Sequence, residues 1–553
     1  MGHIDVSGVS YFLADGRILL DNVSFRVGDG AKAAIIGLNG GGKTTLLNLI
    51  AGILTPESGT VSRSGELRFM RQKLGADVDD ATSVEDVLAS LCSHRLQEAI
   101  AKVRVLELRL MDDDSEAVQL EYAQALVDFG DAGGYDELIR WDLCCTNALG
   151  TEFEKIKYRS FLTFSGGEQK RLILEYLFQS DAEVLLLDEP DNYLDIAGKV
   201  WLEEKMVSSA KTILFVSHDR ELLNKVASRF LTVEAGSVGN TVWTYVGRFS
   251  DYDDVREARF ERFDELQRRW NEDRQRLIAQ VTFYKQRATH NPGMATRYQA
   301  ALTRLARFEK EGPPQERPRR QNVVMRLRGG RTGKKVLICE DLSIHDLTRP
   351  FDLEVHFGER IAVVGANGTG KSHFLNLLAQ SRDGEQDVRD ASTGLMKDRI
   401  DYQGTVRLGA RVQPGLFIQN RVHPEFVGKK LIEILHRGAG LRAGTGHEKA
   451  MAALGRYELA ARADEYFENL SGGEQARFQI LDLELGGANL LLLDEPTDNL
   501  DLHSAEVLES ALNAFEGTLL SVTHDRWFAK SFDRFLVFSN RGIVFEASEP
   551  IWE

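Results

Sequence analysis

The chain carries one set of short motifs twice, in the same order and at matching intervals. In each copy, 24 positions separate the serine of an SGGEQ motif from the glutamate of a DEP motif, and 29 more lead to the histidine of an SHD or THD motif. Chance does not keep two intervals constant in this way, so the repeat predicts two domains of one fold. With 553 residues, the chain is long enough to give each domain its own core.

The copies occupy residues 1–250 and 325–553, and residues 251–324 join them. In both copies short apolar runs alternate with helical patterns, which predicts an α/β core. The first copy is longer after its first motif, and the added residues have helical periodicity. We therefore expect a small helical insertion at about 82–130 in the first domain.

Each copy begins with a GxxxxGK[ST] motif, GLNGGGKTT in the first and GANGTGKSH in the second. Both follow an apolar strand and open a helix, which is the context of a phosphate-binding loop. The glycines let backbone N–H groups face the phosphates, and the helix N-terminus adds its positive dipole end. The candidate nucleotide-binding residues are Gly37, Asn39, Gly40, Gly42, Lys43, Thr44 and Thr45 in the first loop, and Gly365, Asn367, Gly368, Gly370, Lys371 and Ser372 in the second.

Four apolar residues precede Asp-Glu in each copy, which predicts a buried strand that ends in two carboxylates. The first carboxylate of each pair suits a magnesium ion and the second suits polarisation of an attacking water. A lone histidine is usually structural, but these two recur at a fixed distance from a carboxylate, so they are candidates to orient that water. The candidate catalytic residues are Glu189, Glu495, His218 and His524.

The lysines of the two loops would contact the β and γ phosphates, and the next residue of each loop would bind magnesium. Two glutamines that follow apolar runs are further candidates for magnesium or water, although an ordinary surface position is the alternative for a glutamine. The candidate magnesium ligands are therefore Thr44, Ser372, Asp188, Asp494, Gln72 and Gln419.

The segment between the copies predicts a helical hairpin. Apolar residues at steps of three, four and seven indicate one long helix from Asp251 to about Ala288. A break at His290-Asn291-Pro292-Gly293 follows, and a second apolar stripe continues to Phe308. The first stripe comprises Phe260, Phe263, Leu266, Trp270, Leu277, Val281 and Tyr284.

Charge is distributed unevenly along this hairpin. Residues 255–320 contain sixteen Lys or Arg and nine Asp or Glu, a balance of +7 in a chain whose formal net charge is −16. No acid lies between Arg274 and Phe308. A solvated basic face is the usual meaning of such a run, but bases gathered at the far end of a projecting hairpin suit contact with a nucleic-acid backbone better. The candidate RNA-binding residues are Lys285, Arg287, Arg297 and Arg304.

The phosphate loops, SGGEQ, LDEP and the histidine motifs together resemble the ATP-binding cassette ATPases, over both domains. The resemblance implies an α/β fold of two ATP-binding cassette (P-loop NTPase) domains joined by a long α-helical hairpin linker, and hydrolysis of ATP with Mg²⁺. In that family two cassettes pack head to tail, and each ATP lies between the phosphate loop of one and the SGGEQ motif of the other. The residues that the resemblance assigns to this second contact are Ser165, Gly166, Gly167, Ser471, Gly472 and Gly473.

On this resemblance, site one joins Lys43 and Glu189 to the second SGGEQ motif, and site two joins Lys371 and Glu495 to the first. The aromatic residue that stacks on adenine in the family corresponds to Tyr11 in the first copy. The second copy has no counterpart to it, and a histidine takes the place of the commoner Thr or Ser after Ser372. These departures leave open whether the two sites bind nucleotide with equal affinity, and they do not affect the catalytic positions.

Two cassettes and a long linker with a basic tip resemble the ABC-F proteins. This resemblance implies a monomer whose cassettes pair intramolecularly and which binds the ribosome near the tRNA exit site. Its linker would contact rRNA, P-site tRNA and the peptidyl-transferase centre, and its helical insertion would correspond to the arm of that family. Translation regulation and ribosome protection against antibiotics are both roles found in the family.

The main alternative is a tandem ATPase subunit of a membrane importer. No apolar run reaches the ~18–20 residues of a membrane helix, which fits either function. Cassettes of importer subunits normally follow one another without a long basic hairpin, so the linker favours ABC-F. The N-terminus lacks the pattern of a secretory signal, and the four cysteines have no metal-site spacing. We expect a cytoplasmic location and no membrane partner.

Overall fold

The computed structural model describes residues 2–71, 79–113, 115–288, 294–319, 322–381, 400–418, 426–438, 444–498 and 500–552. Three sequence predictions fall outside these residues: the roles of Gln72 and Gln419, and the turn at 290–293. Among the described residues, no helix combines the length and the apolar character needed to cross a lipid bilayer.

Within the described residues, the strands in chain order are β1 (Ile4–Phe12), β2 (Ile18–Val27), β3 (Lys32–Gly37), β4 (Ser58–Arg63), β5 (Leu67–Met70), β6 (Val184–Asp188), β7 (Thr212–Val216), β8 (Arg229–Ala235), β9 (Asn240–Val246), β10 (Lys335–Ile344), β11 (Phe351–His356), β12 (Arg360–Gly365), β13 (Tyr402–Leu408), β14 (Pro414–Ile418), β15 (Leu490–Asp494), β16 (Thr518–Val522), β17 (Arg534–Phe538) and β18 (Val544–Ala547).

The α-helices of the same described part are α1 (Lys43–Ala51), α2 (Val84–Ser90), α3 (His94–Asp112), α4 (Glu116–Asp131), α5 (Gly134–Leu149), α6 (Phe153–Ile156), α7 (Gly166–Gln179), α8 (Ile196–Ser208), α9 (Arg220–Val226), α10 (Tyr252–Ala288), α11 (Ala295–Glu311), α12 (Lys371–Gln380), α13 (Leu431–Arg437), α14 (His447–Arg456), α15 (Gly472–Gly486), α16 (Leu502–Asn513) and α17 (Arg526–Ala529).

The two copies have the same sheet topology. In the first cassette the strand order is β4-β1-β2-β9-β8-β3-β7-β6-β5, with β8, β3, β7, β6 and β5 parallel. In the second, β14-β15-β16-β12-β17-β18 repeats the order of β5 to β9, and β11-β10-β13 repeats the antiparallel part as a separate sheet. The duplicated α/β architecture predicted from the repeat is confirmed.

Each parallel sheet is covered on both faces, because its central strands are apolar at every position. Leu185 and Leu187 of β6 join one core cluster, while Val184 and Leu186 join the cluster on the opposite face. The corresponding strand β15 divides its leucines in the same way. Strands buried on both sides read as continuous apolar runs, which is why LLLD and LLLLD precede the acidic residues. The carboxyl ends of these strands meet at one edge, where ligands bind in such sheets.

The helical insertion of the first cassette contains α3 and α4, which pack against each other. Lys102 pairs with Asp128 at 2.7 Å, and Arg109 pairs with Glu121 at 3.2 Å. The helix α5 returns the chain to the core, where Trp141 is fully buried. We propose that the projecting part corresponds to the insertion expected at about 82–130.

The hairpin is formed by α10, with 37 residues, and α11, with 17. The Trp270 ring stacks on Phe308 with centroids 5.4 Å apart, and Arg274 pairs with Glu309 at 2.8 Å. These contacts place the end of α11 beside the middle of α10. The predicted long helix is confirmed, and within its apolar stripe Leu266 is 42% exposed.

The base of the hairpin is built into the cassettes. Tyr252, the first residue of α10, belongs to the core of the first cassette, and Phe260 is buried beside it. Between α11 and β10 the described residues form no helix or strand, and Val323, Met325 and Leu327 are buried in the core of the second cassette. The core of the second cassette therefore takes in Val323, two residues before the boundary predicted at 325.

Candidate active site

The two phosphate loops lie between β3 and α1 and between β12 and α12, at the carboxyl edge of each sheet. Gly37 and Gly365, the last residues of β3 and β12, have φ values of 140° and 141°. A Cβ atom at Gly37 would lie 2.5 Å from the carbonyl oxygen of Val233, and one at Gly365 would lie 2.1 Å from that of Phe538. Only glycine fits where the loop passes this close to the neighbouring strand.

The loop lysines are buried and folded back over their loops. Lys43 Nζ donates to the carbonyl oxygens of Gly37 at 2.8 Å and Leu38 at 3.1 Å, and Lys371 Nζ donates to those of Gly365 at 2.7 Å and Ala366 at 2.6 Å. Burial lowers the pKa of each lysine to about 8, and nearby carboxylates oppose this shift. These are the same contacts in both copies, so both ammonium groups are held at the centre of an N–H-rich loop, as contact with phosphates requires.

The acidic residues expected to bind magnesium end β6 and β15. Asp188 is fully buried, and burial raises the pKa of its carboxyl, whereas a hydrogen bond from Thr44 and the charges of Lys43 and Lys170 lower it. A hydroxyl and a buried carboxylate side by side are oxygen ligands of the kind that magnesium prefers. The residues present in the first copy therefore fit the ion.

The two candidate catalytic glutamates share an unusual backbone. Glu189 has φ 49° and Glu495 has φ 50°, and their N–H groups donate to Val216 and Val522 at 3.0 Å. Left-handed backbone at a residue other than glycine costs of order 1–3 kcal/mol and is retained mainly where function needs it. The two side chains are therefore aimed in the same direction from the strand ends.

The neighbours of these glutamates differ. Glu189 accepts a 2.6 Å hydrogen bond from Asn192 Nδ2, whereas Glu495 Oε1 lies 3.7 Å from His524 Nε2. Burial raises the pKa of Glu495 well above its usual range, and Asp498 raises it further. Burial also lowers the pKa values of His218 and His524 well below the usual range, so both imidazoles are neutral. A neutral imidazole can accept a proton or orient a water molecule.

Both SGGEQ motifs are helix N-termini. Ser165 caps α7 and Ser471 caps α15, each through a capping box with the glutamate three residues later. Ser165 Oγ donates to Glu168 at 2.8 Å and Ser471 Oγ donates to Glu474 at 2.7 Å. The glycines that follow form the first turn of each helix, where backbone N–H groups have no partner within the helix and can bind an anion.

The cassettes face each other with these motifs at the contact. A cavity of about 220 Å³ is lined by Asn367 and Glu495 of the second cassette together with Ser165, Gly166 and Gly167 of the first. Site two was predicted to join Lys371 and Glu495 to this SGGEQ motif; Glu495 lines the cavity and Lys371 does not, so site two stays a prediction. At site one, the N–H of Asn39 points at Asp501 of the second cassette at 3.5 Å. No contact recorded among the described residues joins Ser471, Gly472 or Gly473 to the first loop, so their part in site one stays a prediction.

Tyr11, the predicted adenine-stacking residue, lies in β1. It pairs with Leu20 of β2 and is half-buried at the edge of the core. Leu20 also lies beside Gly42 of the phosphate loop. Tyr11 is thus one residue away from the loop, and its role towards adenine stays a prediction.

Sequence analysis missed the ion pairs that join the cassettes. Arg220 at the start of α9 pairs with Glu509 of α16 at 3.0 Å, and Arg526 at the start of α17 pairs with Glu203 of α8. The two pairs are related by the repeat, as in an interface between two like subunits. The signal was present, because both arginines follow the SHD or THD motif directly and both glutamates lie fourteen positions after the DEP glutamate.

Two lysines near the sites were also missed. Lys170 of α7 is buried, and its ammonium donates to the backbone carbonyl of Glu189 at 2.5 Å. Lys199 of α8 lines the cavity between the cassettes. The second copy has Ala476 and Ala505 at the matching positions, so a comparison of the copies could have singled both lysines out.

Comparison with known proteins agrees with this architecture. The family profile described as ABC transporter matches residues 20–192 and 348–498. A relative from Mycobacteroides abscessus named "Antibiotic resistance protein" is 52% identical over 100% of both chains. "ABC transporter F family member 2" of Arabidopsis thaliana is 30% identical over 93% of this chain and 73% of its own length.

A solved structure titled "Model of ribosome-bound archaeal Pelota and ABCE1" has the same fold. It superposes with a TM-score of 0.53 at 19% identity, over 98% of this chain and 78% of that one. Its likeness concerns the fold alone. With both cassettes matched by the family profile and with full-length relatives, the chain belongs to the ATP-binding cassette family of ATPases and, within it, to the ABC-F branch.

Proposed function

We propose that this protein binds the ribosome near the tRNA exit site and acts through its hairpin on P-site tRNA and the peptidyl-transferase centre. It would do so in translation regulation or in protection of the ribosome against antibiotics. The observation that carries the proposal is the exposed basic tip of α10 and α11, on a chain whose net charge is −16.

The reach of the hairpin supports a distant target. At ~1.5 Å per residue, the 37 residues of α10 extend about 55 Å. Its base is anchored by Arg259, which pairs with the buried Glu234 of β8 at 2.8 Å, and by Arg317, which pairs with Asp264 at 2.6 Å. An anchored base and a long helix pair can carry a contact at the tip back to the cassettes.

The basic side chains of the tip face solvent. Lys285, Arg287, Arg297 and Arg304 are all exposed. Other arginines of the acid-free stretch are paired with acids next to it, Arg276 with Asp273 at 3.2 Å and Arg307 with Glu311 at 3.5 Å. No ion pair is recorded for Arg287, Arg297 or Arg304 within the described part of the hairpin. Unpaired exposed arginines suit phosphate oxygens, and the acidic bulk disfavours indiscriminate RNA binding.

ATP hydrolysis would control this binding. Lys43 and Lys371 would hold the β and γ phosphates, and Glu189 and Glu495 would polarise the water that attacks the γ-phosphorus atom. His218 and His524 would orient that water, and inorganic phosphate and ADP would leave. ATP would close the cassettes into the ribosome-bound form, and hydrolysis would release the protein.

Magnesium would be held by Thr44 and Asp188 in site one and by Ser372 and Asp494 in site two, with Gln72 and Gln419 as further candidates outside the described residues. The ion would neutralise the charge that develops on the phosphate oxygens. We propose that catalysis depends on it at both sites.

The name of one relative supports a role in antibiotic resistance, since a protein 52% identical over the whole chain is called "Antibiotic resistance protein". The hairpin argues against an importer subunit, because the cassettes of importer subunits normally follow one another without a long basic hairpin. We propose a monomer in the cytoplasm, with its cassettes paired intramolecularly and no membrane partner.

Sedimentation with purified ribosomes tests this function. The variant Glu189→Gln/Glu495→Gln should pellet with ribosomes when ATP is present and stay in the supernatant with ADP, because closed cassettes cannot be released without hydrolysis. A charge-matched control, Glu204→Gln/Glu516→Gln, removes exposed acids and should behave like the wild type. Pelleting that ignores the nucleotide, or no pelleting at all, would contradict the proposal.

A further inference from the structure

The cavity between the two candidate centres is lined by far more acid than base. Six carboxylates line it: Glu189, Asp191, Asp219, Glu495, Asp498 and Asp525. Within the described residues, Lys199 is the one lysine or arginine of the lining. So many carboxylates in one enclosed space repel each other unless a cation compensates for them.

Lys199 is fixed by the first cassette. It lies one turn into α8, and its Nζ is 3.0 Å from Asp219 Oδ2, with 10% of the lysine side chain and 7% of the aspartate side chain exposed. Burial alone would lower the pKa of Lys199, but Asp219, Asp498 and Asp191 raise it above the usual range. The lysine is therefore charged and cannot leave the cavity without breaking a buried ion pair.

Its charge also acts on the second cassette. Asp498, which contributes to the pKa of Lys199, belongs to the loop after β15, three residues beyond Glu495. Glu495, Asp498 and His524 of the second cassette line the same cavity as Lys199, and Glu495 and His524 are the candidate catalytic pair of site two. One cation of the first cassette thus faces the loop that carries the glutamate of the second.

The second cassette lacks the lysine of this arrangement. The residue that matches Lys199 in the second cassette is Ala505, which is buried in α16 and carries no charge. Asp525 matches Asp219, so the acid is present in both copies and the lysine in one. The two composite sites are therefore built differently at their shared boundary.

We propose that Lys199 is a positioning residue for site two: its ammonium group, held by Asp219, fixes the Asp498 loop and thereby Glu495 when the cassettes are closed. Site one has no equivalent. The proposal rests on the ATPase function proposed above. It predicts that the two sites hydrolyse ATP at different rates, and that one side chain of the first cassette sets the rate of the second.

Single-turnover hydrolysis, with each site isolated in turn, tests it. In a Glu189→Gln protein only site two can hydrolyse ATP, and in a Glu495→Gln protein only site one can. A single round of hydrolysis can be measured even if repeated turnover requires both sites to be active. Lys199→Met should slow hydrolysis at site two, in the Glu189→Gln protein, about tenfold. It should leave the rate at site one, in the Glu495→Gln protein, within about twofold. The ATP concentration for half-maximal rate should change by less than about twofold, because the loss concerns the chemical step.

Two further variants separate positioning from general packing. Lys199→Arg keeps the charge and should restore at least half of the site-two rate. Asp498→Asn should also slow site two, and combining it with Lys199→Met should add little, since in this proposal both side chains act on the position of Glu495. Lys205→Met, on the same helix but paired with Glu175 inside the first cassette, is the matched control and should leave both rates unchanged.

The outcomes are distinct. Equal slowing at both sites, no slowing at site two, no rescue by arginine, or no single turnover in either isolated-site protein would each overturn the role of Lys199. If Lys199→Met lowers Tm by more than the Lys205→Met control, Lys199→Met/Asp219→Asn removes both charges and is compared in the same backgrounds. Undiminished hydrolysis by Glu189→Gln/Glu495→Gln would instead remove the proposed ATPase chemistry itself.

Discussion

The glutamates that follow β6 and β15 share a left-handed backbone but not their neighbours. Asn192 donates to Glu189, whereas His524 and Asp498 lie beside Glu495. The corresponding residues after the proline are Asp191-Asn192-Tyr193 in one copy and Thr497-Asp498-Asn499 in the other. The duplicated fold therefore places the same carboxyl group in two different surroundings, and the matching positions Asn192 and Asp498 contribute to the difference.

Replacing both glutamates tests their role in hydrolysis. Glu189→Gln/Glu495→Gln should bind ATP as the wild type does and hydrolyse it about 10²–10³-fold more slowly, because the amide cannot polarise the attacking water. Steady-state phosphate release and equilibrium binding of a fluorescent ATP analogue measure the two effects. Turnover equal to that of the Glu204→Gln/Glu516→Gln control would exclude these glutamates from catalysis.

The buried Asp191 should make the stability of the fold depend on pH. Burial, followed by the charge of Asp219, raises the pKa of its carboxyl from 3.8 to about 6, against the opposing effects of Lys199 and Lys170. The folded protein then binds more protons than the unfolded chain between about pH 4 and pH 6, so stability from this group is lost as pH rises through that window.

Asp191→Asn removes this cost, so at pH 8 it should raise Tm and increase the free energy of unfolding by on the order of 1–2 kcal/mol. Both increases should be smaller at pH 5. Differential scanning fluorimetry at both pH values measures the effect. The exposed Asp131→Asn serves as control and should shift neither Tm. A Tm that falls by the same amount at both pH values would mean that the ionised carboxylate stabilises the fold.

At the residue scale, the sequence predicted the positions that the phosphate loops and strand ends fix. Lys43, Lys371, Asp188 and Glu189 follow from a motif whose local geometry is nearly self-contained. Lys199 does not, because its partners lie in another motif of its own cassette and in a loop 299 positions away. Contacts of that kind depend on how two finished domains dock, and no periodicity in the chain encodes docking.

Among the elements, the hairpin was the easiest to predict and the hardest to delimit. Helical periodicity gave α10 to within one residue of its observed start, since Asp251 was expected and Tyr252 is found. Periodicity alone does not tell which residues of the stripe are covered, as the exposed Leu266 shows. Likewise, the buried Val323 shows that an extended segment can join a core without any pattern of its own.

The basic tip of the hairpin is predicted to contact RNA, and replacing its residues tests this. Replacing Lys285, Arg287, Arg297 and Arg304 together by Gln should weaken ribosome association and flatten its dependence on salt, by a log–log slope of roughly 0.7–0.9 for each phosphate group that the variant no longer binds. Ribosome-free ATPase activity should change little, because exposed side chains far from the sites are replaced. Binding titrations at several salt concentrations measure the slope.

A matched variant removes four basic residues nearer the base of the hairpin: Arg262, Arg268, Arg269 and Lys310, all exposed. Its salt slope should stay close to that of the wild type. An unchanged slope in the tip variant would mean that the acid-free stretch has no part in RNA binding. Loss of ATPase activity without ribosomes would instead show that the hairpin braces the cassettes.

In the whole molecule, two reciprocal ion pairs and a shared cavity join the cassettes, and the hairpin rises from the first of them. The ion pairs are Arg220 with Glu509 and Arg526 with Glu203, and the cavity is lined by residues of both cassettes. Because α10 begins in the core that also packs the strand before the first phosphate loop, a change in how the cassettes meet would reach the base of the hairpin. ATP in the cassettes and RNA at the tip would thus be coupled through one rigid helix.

The position of the hairpin on a ribosome tests this account most directly. Cryo-electron microscopy of Glu189→Gln/Glu495→Gln, trapped with ATP on ribosomes that carry P-site tRNA, should show the cassettes closed near the tRNA exit site. The tip residues of α10 and α11 should lie against P-site tRNA or rRNA near the peptidyl-transferase centre. A trapped complex in which the hairpin points into solvent, or in which the protein occupies another part of the ribosome, would contradict it.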